Sequence, residues 1–397
     1  MKGWQLKRID QLGNVITGKT PSCDHPDEFG DEYPFITPTD IPSTRKTVSV
    51  ERLLSEKGKE SHKRILLPQK TTCVVCIGAT IGKTCMTQRP SFTNQQINSI
   101  IVNQNSDKDY VYYIATTLKD ALVSFAGGSA TPIINKSVFS SIKVNVPWLP
   151  IQRKIAAVLS AYDDLIENNN RRIAILEKMA EELYREWFVR LRFPGHEKVK
   201  IVKGVPDGWE PKRLKEVVDR KSFRKIYRES ELQPDGRIIV IDQSVNEYLG
   251  FYDGEPEHRA SENRPIMLFG DHSCKMQIMI EPFSLAENVI PFVAKGKMPT
   301  AFLFYMIHNS IETTEYKRHW TELINKEIYI PKEHLQIEFA EKAITHIHQK
   351  EKLVAMNRRI KIIRDRLLSR LMSGKIDVEN LDIQFPDSMK EEAAANA

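Results

Sequence analysis

The chain has 397 residues, 41% of them apolar, which is more than one ordinary domain needs and enough to bury two or more cores. Its formal charge of +6 permits a nucleic-acid partner without demanding one. No run approaches the ~20 apolar residues that span a bilayer, and the five cysteines (Cys23, Cys73, Cys76, Cys85 and Cys274) are too few for a disulfide framework, so a soluble protein of the reducing cytoplasm, without a membrane partner, is expected.

Residues 1–149 read as a mixed α/β segment, with strands expected over Thr72–Ile77, Ile97–Val102 and Ile142–Val146. Inside it, Gly78-Ala79-Thr80-Ile81-Gly82-Lys83-Thr84 resembles a nucleotide-binding loop. Three residues separate its glycines where four are required, however, and a β-hairpin turn explains it equally well. Cys73 and Cys76 have zinc-like spacing, but residues three apart in a strand point to opposite faces and no second ligand pair accompanies them, so no metal site is expected.

Residues 150–192 read as one long helix. Ile155, Leu159, Tyr162, Ile166, Asn169, Ile173, Leu176, Ala180 and Leu183 fall in alternating steps of four and three, a heptad seam with a single polar member. Residues 193–207 form a linker, and 208–334 a second mixed segment with strands at Ile238–Ile241, Val289–Val293 and Ile328–Ile330. Asp207, Glu210 and Lys212 mimic a metal-nuclease set, but their spacing in a Pro-Gly turn is too tight, and no catalytic residue is assigned. Residues 335–376 repeat the long helix, with a seam at Leu353, Met356, Ile360, Ile363 and Leu367 fed by Phe339, Ala343 and Ile347, and a stop at Gly374. Residues 377–397 carry one cationic side chain against six carboxylates and are expected to be a disordered acidic tail.

The chain also repeats itself. Gly3-Trp4 and Lys7-Arg8 match Gly208-Trp209 and Lys212-Arg213; Ile134-Asn135-Lys136 matches Ile324-Asn325-Lys326; Asn170-Arg171-Arg172-Ile173 matches Asn357-Arg358-Arg359-Ile360; and Phe193-Pro194 matches Phe385-Pro386. The offsets are 205, 190, 187 and 192, in one order, which points to a duplicated unit. A narrow seam on a long helix needs a partner, and the matching seam of the same chain is the nearest one. The expected fold is therefore α+β: two mixed α/β domains separated by two long helices in an intramolecular antiparallel coiled coil. Two amphipathic helices, each packed on its own domain, are the alternative.

The passage Gly127-Gly128-Ser129-Ala130-Thr131-Pro132-Ile133-Ile134-Asn135-Lys136, then Ile142 to Pro147 and Gln152-Arg153-Lys154-Ile155-Ala156, resembles the end of a target recognition domain running into the long helix of Type I restriction-modification specificity subunits. Thr17-Gly18-Lys19-Thr20-Pro21-Ser22, Gly78 to Lys83, Asn94-Gln95-Gln96 and Pro206-Asp207-Gly208-Trp209 resemble further segments of it. Pro331-Lys332-Glu333-His334-Leu335 departs from the family's pattern, and residues 230–282 match it least.

The resemblance implies a non-catalytic subunit that binds double-stranded DNA with a bipartite target, each domain reading one half. The implied partners are two modification subunits using S-adenosylmethionine and restriction motor subunits using ATP and magnesium. A coiled-coil adaptor for two protein-binding domains, or the recognition subunit of a related system with fused methyltransferase-nuclease partners, are the rival readings.

Under the first reading, phosphate and base contacts are expected from Lys19, Thr20, Arg45, Lys46, Lys83, Asn94, Gln95 and Gln96 in the first domain. In the second they are expected from Arg220, Lys221, Arg224, Lys225 and Arg228, a run that reads equally as the solvated face of a helix.

Overall fold

A computed structural model describes residues 3–42, 46–125, 133–244, 248–311 and 317–389. Two compact units emerge: residues 1–167 together with 360–397, and residues 168–359.

In the first unit, a four-stranded antiparallel sheet has the order Gly13–Thr17, Ile97–Val102, Thr72–Val75, Thr84–Met86. Helix Lys108–Thr116 is laid against it, with Tyr110, Val111, Ile114 and Ala115 buried, and starts where the Asp107 carboxylate accepts the Tyr110 N–H at 2.8 Å. Trp4–Arg8 and Lys143–Pro147 form a separate antiparallel ribbon. A side sheet of short strands includes the parallel pair Tyr33–Ile36 and Phe92–Thr93. Gly13 and Gly18 occur where strands crowd: a Cβ at Gly18 would lie 2.2 Å from the Thr93 carbonyl oxygen.

The second unit has the same plan. Val218–Arg220, Val289–Ala294, Ile266–Gly270 and Met276–Met279 form its four-stranded sheet in the same order, followed by helix Thr300–Ile307. Glu210–Arg213 pairs with Glu327–Ile330 as the ribbon, and Phe283–Leu285 runs parallel to Ile238–Ile241 in the side sheet. The described strands between residues 230 and 282, the stretch least like the family in sequence, thus belong to the same topology.

The duplication is real, yet not every repeated motif marks an equivalent position. Gly3 and Gly208 do: both have left-handed φ, +83° and +85°, at the start of the ribbon. Ile134-Asn135-Lys136 and Ile324-Asn325-Lys326 do not, because Asn135 caps the start of helix Lys136–Ser141 whereas Asn325 follows the end of helix Trp320–Ile324. The structural counterparts are backbone bonds: Ile134 N–H to the Cys76 carbonyl, and His319 N–H to the Asp271 carbonyl, both 2.8 Å.

The long helices are Leu149–Tyr184, 36 residues continued by a π-helical turn over Arg185–Val189, and Glu333–Met372, 40 residues. At ~1.5 Å per residue they are ~54 and ~60 Å long. Their starts are built alike despite the departure at Pro331. The buried Gln152 donates to the Pro147 carbonyl at 2.9 Å, and the buried Gln336 donates to the Pro331 carbonyl at 2.7 Å. Gly374, at φ +67°, ends the second helix as expected.

Each unit contains part of each helix, paired antiparallel. In the first, Ile155 and Leu159 share a core with Leu367, Leu368 and Leu371. In the second, Ala180, Leu183 and Trp187 share one with Phe339, Ala343 and Ile347. The seam of the first helix follows the sequence, with Ile155, Leu159, Ile166, Asn169 and Ala180 buried and Tyr162, Ile173, Leu176 and Leu183 partly covered.

The second seam must be corrected. Leu353 and Ile360 are buried and Leu367 partly so, but Met356 and Ile363 are 47% and 46% exposed. The positions they were given belong to the polar residues Asn357 and Arg364, so that Lys350, Leu353, Asn357, Ile360, Arg364, Leu367 and Leu371 make the continuous stripe. An apolar template prefers the neighbour, but a polar side chain can hold a seam position when its partners are built in. Asn169 donates to Asn357 at 2.8 Å, and Asn357 to Asn170 at 3.0 Å. Arg364 donates to Asp163 at 2.6 Å, and Lys350 pairs with Glu177 at 3.2 Å.

The disordered tail is corrected too, for residues 377–389. Val378 is 2% exposed in the first unit's core, against which Ile383 and Met389 also pack. Lys154 donates to the Glu379 and Leu381 carbonyls at 2.7 and 2.8 Å, and Ser388 to Asp164 at 2.7 Å. The last turn of the linker is likewise structured, as the hairpin Ile201–Val202 with Val205–Pro206, and Phe193 before it is buried in the second unit's core.

Candidate DNA interface

The sheet registers decide which loops can act together. In the first unit Thr17 pairs with Asn98 and Val75 with Ile97, so the chain leaves the first strand, leaves the third and enters the central strand at one end of the sheet. Three loops therefore emerge there: Gly18–Thr20, Cys76–Lys83 and Asn94–Gln96. They are tied together. Lys19 N–H donates to the Thr93 carbonyl at 2.9 Å, Cys76 N–H to the Gln96 carbonyl at 2.8 Å, and the Thr20 hydroxyl to Gln95 at 2.6 Å. Asn94 bonds Gln96 through its amide at 3.3 Å and accepts the Gln96 N–H at 3.1 Å. Lys19 and Gln95 are exposed, and Thr20, Lys83, Asn94 and Gln96 half-buried.

The hairpin turn over Gly78–Lys83 has left-handed glycines at both Gly78 and Gly82, which is why glycine recurs there without a nucleotide loop. Cys73 and Cys76 lie in different core clusters, and burial pushes the Cys76 thiol up to about 11. Among the described residues no three His, Cys, Asp or Glu side chains converge as a metal site.

Lys46 does not join these loops. It is covered, ion-paired with the buried Asp109, and its ammonium sits 5.4 Å from the Tyr112 ring. Burial raises the Asp109 carboxyl, but Lys46 and Lys70 outweigh burial and hold it below its ordinary value. Its backbone carbonyl accepts from Met86, at the far end of the sheet, so the lysine is part of the core framework. Arg45 lies outside the described residues.

In the second unit the same sheet end carries residues 221–228, 271–275 and 286–288, since Arg220 pairs with Phe292 and Gly270 with Val289. The basic run is not a helix. Arg220 ends a strand and the chain continues extended, with Ile226 bridged to Leu285. Basic and aromatic residues alternate: Tyr227 is buried and stacked on Tyr252, and Phe223 packs on the core, while Arg220, Arg224, Lys225 and Arg228 are exposed and Lys221 half-exposed.

Two lysines of this run have local carboxylates. Lys221 pairs with Asp219 at 2.6 Å and Lys225 with Glu231 at 2.9 Å; hydrogen bonding to each lysine lowers its carboxylate partner's pKa. Arg224 is placed like Lys19. Each lies six residues beyond the residue paired with the last residue of the central strand, Gly13 with Val102 and Val218 with Ala294.

Sequence reasoning missed the second unit's other two loops. His272 N–H donates to Gln243 at 3.0 Å, Lys275 to the Ser244 carbonyl at 2.7 Å, and Trp320 N–H to Asp271 at 2.9 Å, with the exposed Arg318 nearby at 3.8 Å. The backbone bond from Asp271 N–H to the Asn288 carbonyl, 2.8 Å, repeats the one between Cys76 and Gln96. The run Gly270-Asp271-His272-Ser273 was the available turn signal.

A family model for the Type I restriction modification DNA specificity domain matches residues 1–178. The Type I restriction enzyme MjaIX specificity subunit of Methanocaldococcus jannaschii is 30% identical over 420 residues, which cover 96% of this chain and 95% of that one. The HindI specificity subunit of Haemophilus influenzae is 35% identical over 178 residues, 42% of this chain and 38% of that one. A crystal structure of the Type-I restriction-modification system S subunit from M. genitalium shares the fold, with a TM-score of 0.55, 15% sequence identity and coverage of 97% and 96%. With a relative matched along almost its whole length and a duplicated fold whose loops gather at one sheet end in each unit, the chain belongs to the specificity subunits of Type I restriction-modification systems.

Proposed function

We propose that the chain gives a Type I restriction-modification complex its DNA address, each unit reading one part of a split target through the loops at its sheet end. The supporting observation is the doubling: one loop set, on one sheet topology, occurs twice in a chain whose two long helices each run through both units. The long helices set the number of unread base pairs between the two parts. Lys19 and Arg224 are the equivalent phosphate contacts, and the amides of Asn94, Gln95 and Gln96 the base-edge readers, since an amide can donate to and accept from adenine at once.

The subunit leaves chemistry to its partners. Two modification subunits dock beside the helices and use S-adenosylmethionine to methylate an adenine flipped out of the duplex, and restriction motor subunits use ATP and magnesium to cut unmodified DNA.

Single-molecule methylome sequencing of a plasmid tests this, in cells producing the chain with its modification subunit and in cells lacking only the chain. Methyladenine appearing only with the chain, at a split motif of fixed gap, is the expected result. Modification unchanged without the chain would remove the recognition role.

A further inference from the structure

A cleft of the first unit opens behind the interface hairpin. The hairpin turn at Thr80–Lys83, helix Lys108–Thr116, Lys119 and the Arg364 stretch of the second long helix enclose about 500 Å³. Its walls are fixed. Gly82 has φ +84°, and a Cβ there would lie 2.8–2.9 Å from the Cγ, Cα and Cβ of Lys119, so the turn is pressed onto that residue. Arg364 is committed to Asp163 at 2.6 Å and Asp365 at 2.8 Å, which also occupies the acidic group at the cleft.

What remains is a set of donors without acceptors. Lys83 and Lys119 line the cleft and pair with no carboxylate among the described residues. Tyr112, 6% exposed, lines it too, and its hydroxyl makes no hydrogen bond among the described residues, whereas the adjacent Tyr113 donates to Asp163 at 2.5 Å. Since the Tyr112 oxygen is not among the buried polar atoms that lack a partner, it opens to the cleft, and a hydroxyl donor beside two ammonium groups without carboxylate partners points to an anion with several acceptor oxygens. The hairpin that forms one wall emerges from the same sheet end as Lys19 and Asn94–Gln96.

We propose that this cleft seats a phosphodiester of the DNA backbone, held by the Lys83 and Lys119 ammonium groups and the Tyr112 hydroxyl, next to the bases read by the neighbouring loops. The assignment rests on the DNA-reading function proposed above. The phosphate of a free nucleotide has the same chemistry, and the test separates the two sources.

The complex with its modification subunits is titrated with a target duplex and a non-target duplex across a salt series. K83A/K119A should weaken binding to both duplexes roughly tenfold and flatten the log–log salt slope by about 1, the contribution of one neutralised phosphate. K83R/K119R should restore both, and Y112F should weaken binding severalfold without lowering Tm. Wild-type affinity and slope in K83A/K119A, with normal target binding by the parent complex, would overturn the cleft assignment and leave the recognition function standing. Failure of the parent complex to bind DNA would overturn both. Stabilisation of the parent by ATP or inorganic phosphate that K83A/K119A abolishes, with DNA binding unchanged, would give the cleft to a free nucleotide instead.

Discussion

Replacing Asp163 by alanine should strike the helix pairing of the first unit at its most exposed weakness, a charge that burial tolerates only because it is paired. Arg364 and Asp163 have side chains 14% and 11% exposed and meet at 2.6 Å, and Asp163 also accepts from the Tyr113 hydroxyl at 2.5 Å. Burial works against the Arg364 charge, but Asp163 and Asp365 outweigh it and hold its pKa above the ordinary value. Removing one partner of a buried pair costs ~3–5 kcal/mol, and the stranded hydroxyl is included in that range because Ser160 remains 3.3 Å away as a second contact. At roughly 2–4 °C per kcal/mol for a unit of this size, the first unit's transition should fall by about 10 °C in differential scanning calorimetry. D163L/R364M, which removes both charges, should recover much of that loss. A D163A shift of under ~2 °C, or a double variant worse than the single, would refute the reasoning.

The corrected seam predicts unequal neighbours: I360A should cost ~2–4 kcal/mol by urea denaturation, whereas I363A should cost ~0.5 kcal/mol or less. Removing residues 377–397 should lower the first unit's transition by several degrees, because Val378 leaves its core; an unchanged transition would mean the segment does not dock. G18A should lower both the DNA affinity of the complex and the first unit's transition in calorimetry while leaving the second unit's transition unchanged, since its Cβ cannot fit against the Thr93 and Asn94 carbonyls without moving the Asn94–Gln96 loop. For Asp109, held below its ordinary value, the stabilisation is present above the unfolded pKa of ~3.9 and lost as pH falls through the lower folded pKa. Wild type should therefore lose more stability than D109N on acidification below about pH 4.

Periodicity revealed what depends on repetition: strands, long helices and the seam of the first helix all follow from spacing. It failed where a polar residue took an apolar position. Asn357 and Arg364 look like surface residues until Asn169 and Asp163 are placed opposite them, and a single helix read alone contains no sign of its partner. Short matches such as Ile134-Asn135-Lys136 pointed to a true duplication through a coincidence, because topology survives where three-residue identities drift. At the interface, the loops Lys19–Thr20 and Asn94–Gln96 were legible from their polar composition. Lys46 was misjudged because its carboxylate, Asp109, lies 63 residues away in sequence. The second unit's hairpin at 271–275 was missed because the stronger cationic run beside it drew attention to charge rather than to position.

The first unit is not a continuous stretch of chain. The first needs Leu367, Leu371 and Val378 to close a core begun by Ile9 and Leu12. During synthesis, then, the first 167 residues cannot complete their fold when they are made: Ile155 and Leu159 stay uncovered until the second long helix has been translated. The second unit, whose residues lie between, can close earlier. Contacts separated by more than 200 residues are slow to form and leave apolar surface open to aggregation meanwhile. The order of folding should therefore run against the order of the chain, with the domain translated first finished last.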